Sequence, residues 1–249
     1  MEWILIFILG AAIGSFMNVL ILRTPRDESI SFPSSHCMSC NTPLRAWHNV
    51  PIFSWLFLRG KCSFCGAKIS AQYPIIETLT GVIFLLSALK MGMNIQAFGI
   101  AMVFTLLVAL SVIDFRYKMV PDSINLSALT FAIFSVTAYT EFVTHFTNAL
   151  LLAGGFTLLR FYLSYIIKKE AMGEADIMIA ATMGAILGIK LALVAVFISA
   201  LLALPALLLT KDETEESQQL PFIPFLALAT WIVLMFDTPI SLYLETLYG

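Results

Sequence analysis

Charged residues are scarce in this sequence. Asp, Glu, Lys and Arg make up 12% of the 249 residues, whereas a soluble globular domain carries about 25%. Hydrophobic residues make up 59%. Such a composition is typical of a chain whose surface faces lipid, because charge is costly there and no water is present to hydrate polar groups. The shortage of charge therefore excludes an ordinary soluble domain and predicts a membrane protein.

The sequence also lacks a strong net charge, a long low-complexity region and an obvious internal repeat. The formal net charge is −2, which is too near zero to favour a nucleic-acid partner. No clear small-residue cleavage site ends the first apolar stretch, 3–22, so we expect it to stay as a membrane helix. The polar run 211–219 is expected to be a solvated connector.

Long apolar segments dominate the rest of the chain. A helix needs about 20 apolar residues to cross a bilayer, and eight segments approach that length. We therefore predict an all-α polytopic membrane protein with about eight transmembrane helices. A ninth apolar segment, 53–58, is too short to cross, so we expect it to lie at the membrane interface or to pack on the polar domain. The eight predicted spans are 3–22, 73–90, 95–113, 122–140, 147–167, 175–189, 191–209 and 220–236.

Basic residues are distributed unevenly about these spans. Eleven of the 14 Lys and Arg residues fall on one side, and such an excess marks the cytoplasmic side. The N-terminus is therefore predicted to lie outside, and an even number of spans returns the C-terminus to the outside. Arg160 lies within the fifth span and is expected to snorkel to the surface or to pair with a carboxylate. The cytoplasmic basic residues are Arg23, Arg26, Arg45, Arg59, Lys61, Lys68, Arg116, Lys118, Lys168, Lys169 and Lys211.

All four cysteines lie in the polar segment 24–72, as two CxxC pairs. Each pair can offer two thiolates to one metal ion, and four thiolates complete the tetrahedral site that zinc prefers. Disulfides are disfavoured in the cytoplasm. A redox pair, four unrelated buried cysteines, or His36 and His48 as alternative ligands are weaker interpretations. We predict a small zinc-ribbon-like domain at 24–72 between a first helix, 1–23, and a membrane domain, 73–249. Its ligands are Cys37, Cys40, Cys62 and Cys65.

Two aspartates stand apart from the acids of the loops. Asp114 follows the apolar run of the third span, and Asp176 begins the sixth. The predicted orientation places both at the cytoplasmic ends of their helices, where they could meet. Two facing carboxylates in a partly dry site share one proton, so one can activate water while the other polarises a carbonyl. Helix capping explains Asp176 about equally well from spacing alone.

Several motifs in order resemble the type IV prepilin peptidases, which are membrane aspartyl proteases of the GxGD class. The likeness covers most of the chain. Ala175 replaces the second glycine of the GxGD motif, and Met178 stands where many members carry lysine. The matching stretches are 14–23 (GSFMNVLILR), the two CxxC pairs, 69–77 (ISAQYPIIE), Asp114 with Pro121-Asp122, 173–176 (GEAD) and 220–228 (LPFIPFLAL).

The resemblance implies an enzyme of the bacterial inner membrane. Asp114 and Asp176 would cleave the leader from type IV prepilin or pseudopilin precursors at the cytoplasmic face. Many members also methylate the new N-terminus with S-adenosylmethionine, although no separate motif for that cofactor is visible in this chain. The implied partners are these precursors and the lipid bilayer.

Two functions of other classes compete with this one. In a transporter, the carboxylates would line a pathway and the cysteine domain would be a regulatory lid, but polar residues would then spread through the bilayer midplane. In a non-catalytic assembly subunit, the cysteine domain would bind a partner. Replacing either aspartate by asparagine would then have no effect.

Overall fold

The computed structural model describes residues 1–170, 172–209 and 221–248. The predicted connector 211–219 and Leu220, at the start of the eighth predicted span, lie outside the described residues. Within them the chain is helical apart from loops and two isolated β-bridges, so the predicted all-α fold is confirmed. The helices are α1 (Glu2–Arg23), α2 (Phe53–Phe57), α3 (Gln72–Met91), α4 (Ile95–Tyr117), α5 (Asp122–Phe134), α6 (Tyr139–Ile167), α7 (Glu174–Leu209), α8 (Ile223–Met235) and α9 (Asp237–Tyr248), with 3-10 turns at Thr24–Arg26 and Ala46–Asn49.

The chain forms two compact units, Met1–Ala101 and Met102–Gly249. In the first unit, α1 packs along α3 at positions where both helices carry small residues. A Cβ atom added at Gly10 would lie 2.8 Å from the backbone oxygen of Thr80, and one added at Gly14 would lie 2.9 Å from the Cα of Glu77. Glycines therefore bring the two backbones together, as small residues do between membrane helices.

The polar part of the first unit lies between α1 and α3 and contains the cysteines and the short helix α2. Trp55 attaches α2 to this segment. Its indole N–H donates to the backbone oxygen of Ile69 at 3.2 Å, and its ring covers Gly60, where a Cβ would lie 2.9 Å away. Gly60 also has a φ of 65°, a conformation that glycine adopts without strain.

In the second unit, α7 packs against α5, α6 and α8. Its 36 residues would extend about 54 Å as a continuous helix, well beyond the roughly 30 Å of a hydrocarbon core. The helix is broken at Gly188, whose φ of 70° and ψ of 170° are non-helical. Just before the break, a Cβ at Gly184 would lie 2.6 Å from the backbone oxygen of Asn148 in α6. Close packing of α6 and α7 therefore requires glycine at position 184.

Helices lie in each of the eight predicted segments, but fewer than eight helices are long and apolar enough to be separate spans. Within the described residues, five helices are long and apolar enough to cross a membrane, or six if α8 and α9, bent by 79°, form one span. The sixth and seventh predicted spans are the two parts of α7. The fourth, 122–140, is not one helix, because α5 ends at Phe134 and α6 begins at Tyr139. The Glu141 carboxylate accepts hydrogen bonds from the backbone N–H groups of Thr137 and Ala138. These bonds cap α6 at Tyr139, so the helix begins before the fifth predicted span, 147–167.

Candidate active site and metal centre

Asp114 lies one turn before the end of α4 and is buried, with 8% of its surface exposed. The preceding turns of α4 are apolar and fully buried at Leu107, Leu110 and Ile113. The Asp114 carboxylate accepts a hydrogen bond from the backbone N–H of Ile223 at 3.2 Å. Ile223 is the first residue of α8, and a helix start carries unpaired N–H groups and partial positive charge. Asp114 is thus held at the start of a different helix.

Asp176 lies in the first turn of α7 and is partly buried. Its carboxylate accepts a hydrogen bond from the backbone N–H of Gly173 at 3.2 Å. Asp176 therefore also caps the start of α7, which is the alternative role considered for it from the sequence. Ala175 is already helical, and Gly173 is not among the glycines with positive φ. The alanine in place of the second motif glycine therefore needs no unusual backbone conformation.

The two carboxylates belong to the same unit, and the charge of Asp176 acts on the carboxylate of Asp114. They come from the end of α4 and the start of α7, and the start of α8 contacts one of them. Such a pair holds a single proton more readily than none or two.

The cysteines form two knuckles of the same construction. In the first knuckle, the Cys37 N–H donates to the Thr42 backbone oxygen, and the Asn41 N–H donates to the Cys37 backbone oxygen. In the second, the Cys62 N–H donates to the Ala67 oxygen and the Gly66 N–H donates to the Cys62 oxygen. Asn41 and Gly66 occupy equivalent positions with φ of 53° and 73°, which asparagine and glycine tolerate best. An isolated bridge closes each knuckle, His36 with Pro43 and Lys61 with Lys68.

The four sulfur atoms lie within 4.8 Å of one another, and Cys37 Sγ is 3.8 Å from Cys65 Sγ. A tetrahedral zinc ion with Zn–S bonds of about 2.3 Å would place its sulfurs about 3.8 Å apart. All four cysteines are free thiols. The histidines considered as alternatives have other contacts: His36 Nδ1 lies 3.1 Å from the Ser34 oxygen, and His48 Nε2 lies 3.2 Å from Ser63 Oγ. The donor set therefore fits one zinc ion held by thiolates.

Hydrogen bonds divide the four thiols into two kinds. Backbone N–H donors at Ser39 and Cys40 lower the pKa of Cys37, and those at Cys65 and Phe64 lower the pKa of Cys62. Thr42 lowers the pKa of Cys40. The backbone at Ala67 lowers the pKa of Cys65, but the other three sulfurs and burial outweigh it and raise this pKa to about 11. Without metal, three thiols ionise more easily while the fourth retains its proton.

Comparison with known proteins decides the family. Residues 100–208 match the model of the "Type IV leader peptidase family", and residues 8–91 match "Bacterial Peptidase A24 N-terminal domain". Relatives named prepilin leader peptidase/N-methyltransferase match nearly the whole chain. The one from Neisseria gonorrhoeae is 34% identical, covering 91% of this chain and 87% of the relative. The chain belongs to the type IV leader peptidase family.

Further relatives extend the same match. The protein of the same name from Xanthomonas campestris pv. campestris is 34% identical over 90% of this chain and 88% of the relative. The one from Bacillus subtilis is 30% identical over 98% and 99%. No solved structure shows a significant match. The four cysteines lie in the region of the first family model, and both aspartates lie in that of the second.

Asn125 contacts the turn that carries Asp176, and the sequence motifs do not reveal it. It is fully buried in the first turn of α5, and its amide nitrogen donates to the Ala175 backbone oxygen at 3.1 Å. Its side-chain oxygen has no hydrogen-bond partner within the described part of the chain. A polar residue at the start of an apolar helix is a sequence signal for a buried polar contact. The sequence does not identify the partner, because Ala175 lies 50 residues away.

Arg160 is confirmed as a partner of carboxylates. Its guanidinium lies 3.2 Å from Glu174 and 3.9 Å from Glu170. Glu174 is the residue between Gly173 and Ala175 in the motif. The turn that carries Asp176 is therefore held by α6 through Arg160 and by α5 through Asn125. Because both glutamates are largely exposed, the ion pairs orient the turn more than they stabilise the fold.

Proposed function

We propose that this chain is a membrane aspartic endopeptidase that cleaves the leader peptide from type IV prepilin or pseudopilin precursors. Asp114 and Asp176 are its catalytic pair. The proposal rests on the placement of these two carboxylates, one buried and one partly buried, at helix ends of one compact unit, in a member of the leader peptidase family. Both lie near helix ends, and this placement argues against a transport pathway through the bilayer midplane.

In the proposed reaction the two aspartates exchange the roles of acid and base. The ionised carboxylate takes a proton from water, whose oxygen attacks the scissile carbonyl carbon while the protonated carboxyl donates a hydrogen bond to the carbonyl oxygen. The tetrahedral intermediate collapses as the peptide nitrogen accepts a proton and the C–N bond breaks. Water thus supplies a hydroxyl group to the leader and a hydrogen to the new amine. The N–H groups of Ile223 and Gly173 orient the carboxylates through these steps.

The proposed topology follows the distribution of basic residues. The N-terminus lies outside, and the cysteine domain and both aspartates face the cytoplasm, in the inner membrane of a bacterium. We retain the division into a first helix at 1–23, a cysteine domain at 24–72 and a membrane domain at 73–249. Precursors with a cytoplasmic leader and an apolar helix in the bilayer would reach the aspartates from the membrane.

We further propose a structural zinc ion bound by Cys37, Cys40, Cys62 and Cys65. Four thiolates leave no open coordination position, so the ion holds the two knuckles together and takes no part in hydrolysis. The names of the relatives also support methylation of the new N-terminus. S-adenosylmethionine would supply the methyl group, and we assign no residues to it and derive no transfer step.

The proposed function is tested with purified protein in lipid vesicles and one purified prepilin. Mass spectrometry of the products should show the free leader and the shortened pilin without any other protein present. Added S-adenosylmethionine should increase the mass of the shortened pilin by one methyl group. An intact prepilin after incubation with folded, zinc-loaded protein would contradict the peptidase assignment and favour a non-catalytic assembly role.

A further inference from the structure

The short helix α2 exposes an apolar stripe in an otherwise polar segment. Phe53, Leu56 and Phe57 are 57%, 56% and 83% exposed, and their spacing places them on one side of the helix. Trp55, on another side, is attached to the cysteine segment through Ile69. Trp47 and Val50 are also exposed. We call Trp47, Val50, Phe53, Leu56 and Phe57 the aromatic face.

A strained turn fixes where α2 begins. Ile52 has a φ of 64° and a ψ of −54°, and the Phe53 N–H donates to the Pro51 oxygen at 2.6 Å. This is the geometry of a strained γ-turn, and a β-branched residue adopts it only when its surroundings require it. The buried Glu77 carboxylate holds Ile52 in this conformation by accepting a hydrogen bond from its backbone N–H at 2.7 Å.

Glu77 also sets the depth of α2. It lies five residues into α3, about 7.5 Å along the helix axis, and α3 is apolar and long enough to cross a membrane. Ile75 and Leu79, on either side of Glu77 in the sequence, are exposed at 60% and 42%, as lipid-facing residues are. The hydrogen bond therefore holds the start of α2 beside the first turns of a membrane span, at the depth where aromatic residues collect.

The charges around the aromatic face match a lipid surface. Segment 24–72 carries five basic residues against two acidic ones, Asp27 and Glu28. Arg45, Arg59 and Lys68 are all exposed. A cationic surface beside exposed aromatic rings suits anionic lipid headgroups above and acyl chains below. The apolar surface continues into an open cavity of about 440 Å³ whose lining includes Trp47, Val50 and Phe57.

We propose that the aromatic face inserts into the bilayer interface, so that α2 anchors the cysteine domain flat against the membrane. Sequence alone left segment 53–58 either at the interface or packed on the polar domain. The exposure of Phe53, Leu56 and Phe57 and the bond from Ile52 to Glu77 favour the interface. The anchor is independent of peptidase chemistry.

Photocrosslinking tests this anchor directly, and it avoids thiol labels that would react with the four cysteines. The photoreactive amino acid p-benzoylphenylalanine replaces Phe57 in the full-length protein, reconstituted in vesicles that contain anionic lipid. The matched control carries it at Met38, which is apolar, 63% exposed and in the same segment but outside the aromatic face. Irradiation should yield at least about fivefold more lipid adduct at position 57 than at position 38.

Equal or lower lipid adduct at position 57 would overturn the proposal. So would capture of added prepilin at position 57 with loss of the lipid adduct, since that result makes the aromatic face a substrate-docking surface. Both variants are first checked for wild-type metal content. If the Phe57 variant loses its metal, the same comparison at Phe53, which belongs to the same stripe, decides the question.

Discussion

At the scale of single residues, Asn125 is the contact that ties α5 to the turn carrying Asp176. Replacing it with leucine keeps the number and branching of the side-chain heavy atoms but removes the donor to the Ala175 oxygen. The loss leaves Asp176 less well positioned, and displacements of this kind lower turnover by roughly tenfold or more. We expect kcat for leader release to fall by about that factor, with KM changed much less. Thr130→Ala is the control, because Thr130 is exposed on the same helix and its hydroxyl donates to the backbone oxygen of Leu126, one turn away.

An equal fall in kcat for the Thr130 variant would mean that α5 tolerates no change and that Asn125 has no special role. Stability should also fall for Asn125→Leu, by about 0.5–1.5 kcal/mol, because one buried hydrogen bond is lost. Unchanged kcat in a folded Asn125→Leu protein would contradict the claim that Asn125 positions the turn that carries Asp176.

Ala175 gives a second residue-scale prediction. Because it is helical and needs no positive φ, restoring the motif glycine should bring no gain. We expect Ala175→Gly to keep leader release within about twofold and to cost up to about 1 kcal/mol of stability, as glycine does inside helices. The assay is kcat/KM on one prepilin. A large increase in kcat/KM would show that the alanine impairs the site.

At the scale of elements, the contact between α6 and α7 depends on glycine. A Cβ at Gly184 would lie 2.6 Å from the Asn148 oxygen, whereas one at Gly155, on α6, would meet nothing within 4 Å. Gly184→Ala should therefore force the helices apart and lower the unfolding temperature in detergent. Gly155→Ala should be neutral or stabilising by up to about 1 kcal/mol, since alanine favours the helix. Similar unfolding temperatures for the two variants would contradict this packing.

The cysteine knuckles form a second element with a testable property. Cys37→Ser should lower bound zinc well below one ion per chain, while His36→Ala should leave it unchanged because His36 contacts Ser34 instead. Zinc binding must displace the thiol protons, including that of Cys65 with its pKa of about 11. The affinity of the site for zinc should therefore rise with pH, and zinc binding should release protons. Metal analysis and proton release measure these effects; full zinc content in the Cys37 variant would contradict a four-thiolate site.

At the scale of the whole molecule, periodicity and composition predicted the helical class because long apolar runs identify membrane helices almost alone. The CxxC spacing likewise predicted the cysteine cluster, since each knuckle is a local structure. Three features could not be predicted in this way. The start of α6 after the break that follows Phe134 is capped by Glu141, Asn125 bonds to a helix 50 residues away, and the strained Ile52 is held by Glu77 from α3. The Asn125 and Ile52 contacts are tertiary, so their own segments carry no signal for them, whereas the Glu141 bonds are a local helix cap inside an apolar run that was interpreted as one span.

The central claim is that Asp114 and Asp176 act as one catalytic unit, and isosteric replacement tests it most directly. Leader release from a prepilin in vesicles is compared for the wild type, Asp114→Asn, Asp176→Asn and the double variant, each with confirmed folding and zinc content. Both single variants should lose roughly 10³-fold or more in kcat, and the double variant should lose little beyond either one, because the residues act together. Near wild-type cleavage by either single variant would contradict the account.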